Sequence, residues 1–205
     1  QITLGKEKFY RKILIKILFL IIKTIIVTFA YTNITFASTQ ENLIKNLTLT
    51  KTLSFNFKQK IDGEEETGNC FIKYPLLMKC NYNNLKQKSI ISNGKTVAII
   101  KKKYKKIYYY PIKTTPLFTI LDKEKILNII KNNKPTRINS GIFEFEFVDK
   151  KLNKLIIFFD QKNLNLKGWK TKDAYSNEVI FLITNLIIND EFTEDLFKIP
   201  YEKDL

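Results

Sequence analysis

The chain has 205 residues and a formal net charge of +15, with no His and only two Cys. The lack of His removes the commonest general base and metal ligand, and no zinc cluster, histidine-containing triad or P-loop pattern occurs. The sequence therefore gives no evidence for an enzyme, a metal or a cofactor. The positive charge is almost all Lys, with Arg only at Arg11 and Arg137, which is typical of AT-rich coding sequence and disfavours a nucleic-acid binder.

The first 37 residues have the pattern of an export signal. A basic segment at residues 6–12 precedes an apolar segment at residues 13–30. The small residues Thr35 and Ala37 then occupy the two positions that a signal peptidase reads. We therefore predict cleavage directly after Ala37, which leaves residues 38–205 as the mature chain.

A retained transmembrane anchor is the competing interpretation, because the apolar segment is long for a signal peptide. Lys16 and Lys23 interrupt it, however, and a charge deep in a bilayer is costly. The first Cys is Cys70, so no Cys follows the predicted cleavage site for attachment of a lipid. The sequence therefore predicts export to the periplasm of a soluble, unanchored chain with one domain.

The mature chain is predicted to begin with an amphipathic helix at residues 39–49. A half-buried strand at residues 53–61 follows, in which apolar and polar residues alternate. Asp62-Gly63 then signals a turn, and Asn93-Gly94 signals a tight hairpin between two further strands. A last strand of this series, at residues 107–110, is predicted to stop at Pro111.

A separate hairpin is predicted around Pro75. If it is symmetric, the facing pairs are Cys70 with Cys80 and Ile72 with Met78. Tyr82 then lies on the same side of the sheet as these pairs, and Lys79 lies on the opposite side.

The two cysteines of this hairpin leave two alternatives open. In an oxidising compartment Cys70 and Cys80 form either a cross-strand disulfide or two buried free thiols, since disulfide geometry is demanding. Their spacing differs from that of a redox CxxC motif.

After residue 114 the alternation gives way to a helical pattern. Thr115-Pro116 is typical of a helix start and predicts short helices at residues 117–121 and 123–132. The sheet resumes as an antiparallel meander, with strands predicted at residues 143–147, 155–159, 163–171 and 178–184, before a docking tail at residues 194–200. The predicted fold is mainly β (α+β), with helices at two places that could cover one open face.

Several motifs follow one another along nearly the whole mature chain, and their order and spacing are more specific than any of them alone. They are Phe55-x-Phe57-x-Gln59, Gly68…Tyr74-Pro75…Lys79-Cys-Asn-Tyr82, Ile90-Ile-Ser-Asn-Gly94-Lys95, Thr114-Thr-Pro-Leu-Phe-Thr-Ile-Leu121, Leu166…Trp169…Asp173 and Asp195-Leu-Phe197. In this order the chain resembles the LolA family of periplasmic carriers of outer-membrane lipoproteins.

The resemblance implies an incomplete antiparallel β-barrel closed by a lid of short helices. It also implies a monomer that buries the acyl chains of lipoproteins in a hydrophobic cavity. The lipoproteins would come from an inner-membrane ABC transporter and pass to an outer-membrane acceptor. Three alternatives are an acceptor of the LolB type, which the missing leader Cys disfavours, a periplasmic phospholipid carrier and a lipid-sensing interaction domain.

Candidates for the wall of such a cavity follow from the alternation of the strands. They are Phe55, Phe57, Ile72, Met78, Tyr82, Phe143, Phe145 and Phe147. The alternative is that these residues pack against the helices as an ordinary core. The number of large aromatic residues relative to the few helices favours a cavity.

The resemblance also points to a gate, with one departure from the family pattern. The family commonly has Arg before the Pro, where it can hold the lid closed, and this chain has Tyr74 there. The downstream Arg of the family is replaced by Lys79, which keeps the charge but lacks the planar guanidinium. With Leu117 and Phe118 at the helix entry, Tyr74 and Lys79 are the candidates for the gate and lid.

Overall fold

The computed structural model describes residues 15–23, 39–148, 154–173 and 176–205. The predicted cleavage site after Ala37 lies outside these residues, so the signal peptide stays a prediction.

The chain divides into two compact units, Gln1–Asn42 and Leu43–Leu205. In the first unit, residues 15–23 are helical. None of the helices in the described residues is both long enough and apolar enough to cross a bilayer.

The second unit consists mainly of strands. In the described part of the chain they are β1 Thr52–Ile61, β2 Glu64–Lys73, β3 Leu77–Tyr82, β4 Lys88–Asn93, β5 Thr96–Lys101, β6 Lys106–Pro111, β7 Arg137–Asn139, β8 Ile142–Val148, β9 Lys154–Asp160, β10 Leu166–Lys172 and β11 Glu178–Ile188. The α-helices are α1 at residues 39–49, α2 Leu117–Leu121 and α3 Lys123–Asn132. Single turns of 3₁₀-helix lie at Lys102–Tyr104, Ile112–Thr114, Glu194–Phe197 and Glu202–Asp204.

All described strands belong to one antiparallel sheet with the order β6-β5-β4-β3-β2-β1-β11-β10-β9-β8-β7. Strand β1 pairs with β11 in the middle, so each half of the sheet is a meander of strands that follow one another in sequence. Strands β6 and β7 lie at opposite ends and do not pair, which leaves the sheet open. The prediction of an open, mainly β fold with a few short helices is confirmed.

The register of the hairpin around Pro75 is also confirmed. Cys70 faces Cys80 and Ile72 faces Met78 across β2 and β3. The sulfur atoms of Cys70 and Cys80 are joined in a disulfide. The peptide bond between Tyr74 and Pro75, at the turn of this hairpin, is cis.

In the second half of the sheet one strand was missed and one strand start was predicted wrongly. Strand β7 has three residues and was not predicted, because so short a segment carries no alternation. Strand β10 begins at Leu166 and not at residue 163. The carboxylate of Asp160 accepts hydrogen bonds from the backbone N–H groups of Lys162 and Asn163, which holds these residues in a turn and lowers the pKa of Asp160.

The sheet has two faces, and the three α-helices belong to one of them. This inner face carries Phe57 of β1 and Tyr82 of β3, which pair with opposite sides of Gly68 on β2. The helices contribute buried aliphatic side chains to the core: Leu43 and Leu47 from α1, Ile120 and Leu121 from α2, and Ile126, Leu127, Ile129 and Ile130 from α3. Helix α3 also contacts β8. The aliphatic side chains on one side of α3 are those that the sequence pattern predicted.

The outer face of strands β1 to β6 is covered by the C-terminal segment, residues 190–205. Asp190 accepts a hydrogen bond from Ser54 on β1, and Phe192 packs edge-on against Phe71 on β2. Ile199 and Leu205 pack on a second apolar cluster, formed by Ile91, Ala98, Ile100 and Ile107. The predicted docking tail is therefore part of a longer segment that crosses six strands.

Candidate functional site

The inner face contains a row of aromatic rings that crosses the middle of the sheet. Trp169 on β10 stacks on Phe181 of β11 with ring centroids 4.2 Å apart, and Phe181 stacks on Phe57 of β1 at 4.7 Å. Phe57 in turn contacts Tyr82 of β3 edge-on at 4.8 Å. Such pairs add to the stabilisation that comes from burying the rings. We name these four residues the aromatic row.

Gly68 allows the aromatic row to continue past β2. It lies between Phe57 and Tyr82 in the register of the three strands. A Cβ atom at this position would lie 2.7 Å from the Phe57 ring and 2.0 Å from the backbone oxygen of Asn81. Only glycine therefore lets the two rings meet across the intervening strand.

The predicted lining residues lie on this face. Phe147 is half-buried near the end of β8, and the other seven are buried: Phe55, Phe57, Ile72, Met78, Tyr82, Phe143 and Phe145. Among them, Phe57 contacts Tyr82 edge-on, and Phe55 contacts Phe181 edge-on at 6.3 Å. Two concavities of the sheet, of about 530 and 940 Å³, instead involve mainly outer-face and loop residues such as Lys58, Thr184, Lys79 and Lys102. The seven buried candidates are each at most 8% exposed, so the inner face is packed closely around them, and their role as the wall of an acyl cavity stays a prediction.

The sequence analysis missed part of this interior. Trp169 and Phe181 were not among the lining candidates, although both belong to the aromatic row. Two signals could have identified them: Trp169 belongs to one of the motifs shared with the LolA family, and Phe181 follows the alternation of apolar residues in its strand. What the sequence lacks is the pairing of β1 with β11, which brings these residues together with Phe57.

A polar cluster closes one end of the interior and was not predicted. The hydroxyl of Tyr82 donates to the side-chain oxygen of Gln59 at 2.8 Å. The ammonium of Lys88 lies 3.8 Å from the centroid of the Tyr82 ring and also pairs with Glu66. Asn84 donates to the same carboxylate at 2.9 Å.

Burial determines the ionisation of this cluster. Desolvation lowers the pKa of Lys88, although the hydrogen bond to Glu66 acts in the opposite direction. Burial, together with the charge of Glu66, raises the pKa of Tyr82. Each of these polar groups has a partner, so the cluster stabilises the end of the interior.

The lid, defined as helices α2 and α3, is bonded to the rest of the chain near the junction of these helices. The N–H of Leu76 donates to the carbonyl of Leu121 at 3.0 Å. The ammonium of Lys123 donates to the carbonyls of Thr48 and Thr50, at 3.0 Å each, at the end of helix α1. Ser92 is fully buried and fixes the same turn, because its hydroxyl donates to the carbonyl of Leu76 at 2.6 Å.

The gate candidates divide into two groups. Leu117 and Phe118 are half-buried on α2, and the ammonium of Lys125 lies 4.6 Å from the centroid of the Phe118 ring. Lys79 lies on the outer face, opposite Phe71 and Ile91, and lines the concavity next to the C-terminal segment. Lys79 is thus on the face away from Phe57 and Tyr82, and its role in a gate stays a prediction.

Tyr74 lies beside the lid but does not bond to it. Its hydroxyl oxygen is buried and has no hydrogen-bond partner among the described residues. This desolvation raises the pKa of Tyr74. The ammonium of Lys123 lies 6.0 Å from the centroid of its ring. The hydroxyl therefore does not replace the hydrogen bond to the lid that the family's Arg would make.

An open antiparallel sheet with an aromatic inner face under short helices has the architecture of a protein that holds an apolar ligand. The family model described as "Outer membrane lipoprotein carrier protein LolA" matches residues 48–200. Because this match spans most of the chain, the chain belongs to the LolA family. The fold of this family is a binding or carrier fold, and its members are periplasmic proteins that bind lipids or lipoproteins.

Several solved structures are similar to this chain at low sequence identity. An uncharacterized conserved protein from Thermus thermophilus has a TM-score of 0.49 and 8% identity, over 80% of this chain and 94% of that chain. A LolA superfamily protein from Nitrosomonas europaea has a TM-score of 0.43 and 9% identity, over 80% and 97%. A chain of the MucA/MucB complex from Pseudomonas aeruginosa has a TM-score of 0.45 and 10% identity, over 81% of this chain and 62% of that chain.

Each of these three TM-scores is below 0.5, so the family assignment rests on the family model. A search of curated proteins found no match to this sequence.

Proposed function

We propose that this protein carries acylated lipoproteins across the periplasm, from the inner to the outer membrane, by burying their acyl chains between the inner face and the lid. The observation that supports this most is the aromatic and aliphatic inner face under short helices. An acyl chain in water is unfavourable by about 0.8 kcal/mol for each methylene, so a carrier must cover many methylenes.

The closed interior fits a carrier better than it fits a permanent binder. In the closed form the rings of the aromatic row are buried and pack against one another. A lipid must therefore displace the lid and separate side chains that already pack well. That cost lowers the net affinity and favours release at the destination membrane.

Opening requires movement of α2 and α3 away from the sheet. The junction of these helices, at Leu121 and Lys123, is bonded to Leu76 and to the end of α1 and is suited to act as the hinge. Leu117 and Phe118 lie at the half-buried part of α2, where acyl chains would first contact the lid.

Tyr74 has a role in this opening that is opposite in sign to that of the family's Arg. Its hydroxyl has no partner in the closed form, which is a cost to that form. When the lid moves, water or an ester oxygen of the cargo can bond to the hydroxyl. Tyr74 thus favours the open form, and the closed form is maintained by apolar packing together with the hydrogen bonds at Leu121 and Lys123.

The partners follow from the family. The cargo is an acylated lipoprotein, the donor is an inner-membrane ABC transporter, and the recipient is an outer-membrane acceptor. The chain acts as a monomer, and its predicted signal peptide delivers it to the periplasm.

The test is transfer of lipoprotein to residues 38–205. This chain is incubated with inner-membrane vesicles that contain the transporter and a labelled lipoprotein, with and without ATP, and the vesicles are then removed. We expect a soluble one-to-one complex that forms only with ATP. Lipoprotein that stays with the vesicles would contradict the carrier function, and bound phospholipid alone would favour a phospholipid carrier.

A matched pair of variants tests where the acyl chains bind. Phe147 is half-buried on the inner face, and its neighbour Val148 is exposed and points to the other face. Phe147→Ala should lower the yield of complex, whereas Val148→Ala should leave it unchanged. Equal yields for the two variants would remove Phe147 from the binding surface.

A further inference from the structure

The charge of this chain is distributed unevenly along the sequence. The chain has 20 acidic residues, yet residues 67–121 contain eleven Lys and neither Asp nor Glu. A high Lys content can arise from base composition, but such bias does not remove acidic residues from one part of the chain. This segment supplies β3 to β6, so one end of the sheet is intrinsically basic.

The densest part of this segment lies at an edge of the sheet. Strand β6 is the last in the order, and the 3₁₀ turn Lys102–Tyr104 leads into it. Here lysines and tyrosines are exposed side by side. We name this surface the basic edge; its members are Lys102, Lys103, Tyr104, Lys105, Lys106, Tyr108, Tyr109 and Tyr110.

The tyrosines of the basic edge are unusually accessible for aromatic residues. Tyr104, Tyr108, Tyr109 and Tyr110 are 53%, 42%, 55% and 44% exposed. Ile107, between them, is buried in the outer apolar cluster and anchors the strand. Tyr109 lies on the outer side of this edge strand, and Tyr108 and Tyr110 lie on the inner side. Exposed aromatic rings therefore line both sides of the edge, which marks an interaction surface.

The four lysines of the basic edge are not neutralised within the protein. None of them forms an ion pair with a described residue. The C-terminal segment brings acidic groups close to this edge: Glu202 accepts a hydrogen bond from the N–H of Ile107 at 3.2 Å, and Asp204 follows it, with Lys203 between them. The edge keeps a net positive charge.

We infer that the basic edge docks the protein reversibly on an anionic lipid bilayer. Lysine ammonium groups are attracted by the surface potential of anionic lipids, and tyrosine is favoured at the boundary between water and lipid. A flat charged surface needs point charges and not the bidentate geometry of Arg. The inference depends on this edge alone and is independent of what the inner face binds.

Vesicle flotation with residues 38–205 tests the inference, because the sheet lies in the compact unit Leu43–Leu205 and the apolar leader would itself bind lipid. Vesicles of phosphatidylglycerol and phosphatidylethanolamine are compared with vesicles of phosphatidylcholine. We expect flotation with the anionic vesicles only, and its loss in high salt because the attraction is screened. Equal binding to the neutral vesicles, or none to either, would overturn the inference.

Two variants of equal charge locate the surface. Lys102, Lys103, Lys105 and Lys106→Gln should weaken binding at least about 100-fold, since each lysine near an anionic leaflet contributes about fivefold. The control replaces four exposed lysines elsewhere by Gln, at Lys131, Lys134, Lys162 and Lys167, and should weaken binding much less. An equal loss in both variants would mean that only net charge matters and would contradict a specific edge.

The tyrosines and the alternative partner are tested separately. Tyr108, Tyr109 and Tyr110→Ser should lower vesicle binding about tenfold while its dependence on salt is retained. Unchanged binding would show that the tyrosines do not contact the bilayer, and it would contradict the inference. Binding to immobilised polyglutamate without binding to anionic vesicles would instead assign the edge to an acidic polypeptide.

Discussion

The two faces of strands β1 to β6 are both apolar, but they are covered in different ways. The outer face is covered by residues 190–205, which are bonded to the sheet at several separate strands: Asp190 to Thr52 and Ser54, Glu194 to Lys73, and Glu202 to the N–H of Ile107. For the lid on the inner face, the bonds described above lie near the junction of α2 and α3, at Leu121 and Lys123.

This difference separates a permanent cover from a movable one. A segment that is bonded at many points along its length can leave only if all these bonds are lost together. The lid buries the apolar side chains of α2 and α3 and is bonded at the junction of these helices, which we propose as the point about which it turns. The comparison teaches that the amount of apolar surface buried does not by itself identify a movable element, and that the placement of polar bonds must be considered with it.

The largest expected effect comes from truncating one ring on each face. Phe57→Ala should lower the free energy of unfolding by about 4 kcal/mol, because Phe57 is buried and contacts Phe181 and Tyr82. Its counterpart Phe71→Ala removes the same atoms from the outer face, where the ring is half-buried, and should lower it by about 1.5 kcal/mol. Urea denaturation measures both values. Equal losses would contradict the division into a dense inner core and a lighter outer one.

A smaller effect is expected from shortening the outer cover. Deletion of residues 199–205 removes Ile199 and Leu205 from the outer cluster, and we expect a loss of about 2 kcal/mol in the free energy of unfolding. Amide hydrogen exchange should become faster in β5 and β6 and remain unchanged in α2 and α3. The double substitution Ile199→Ala and Leu205→Ala should reproduce most of the loss, and Lys203→Ala should not. Faster exchange in the lid would show that the two covers are coupled.

The smallest effect has the opposite sign. Tyr74→Phe removes a buried hydroxyl that has no partner and should raise the free energy of unfolding by about 1 kcal/mol. The same change favours the closed form, so the yield of lipoprotein complex should fall. Tyr201→Phe is the control, because Tyr201 is 73% exposed and should change neither quantity. A loss of stability in Tyr74→Phe would mean that the hydroxyl is satisfied in solution, and its role in opening would be withdrawn.

Local signals explain which parts of the fold could be predicted from sequence. The hairpins at Pro75 and Asn93-Gly94, and the helix entry at Thr115-Pro116, depend on residues that are adjacent along the chain. Alternation then fixes which side chains share a face, so the pairing of Cys70 with Cys80 followed from the position of the turn.

Long-range pairing explains what could not be predicted. Ile91 and Ile100 lie on the face opposite the helices, and they are buried because Ile199 and Leu205 return to that face from the end of the chain. Likewise, no local sequence pattern predicts that the Tyr74 hydroxyl lacks a hydrogen-bond partner or that the interior is closed. Both depend on how the helices pack on the sheet.

The stacking of Trp169 on Phe181 makes the interior optically observable. Trp169 is the only tryptophan of the chain, so excitation at the red edge of its absorption reports one position on the inner face, whereas the ten tyrosines are dispersed. In the closed form the indole is buried and lies 4.2 Å from its neighbouring ring. Any rearrangement that separates these rings or exposes the indole to water will change its emission, so the state of the inner face can be followed in real time without a label.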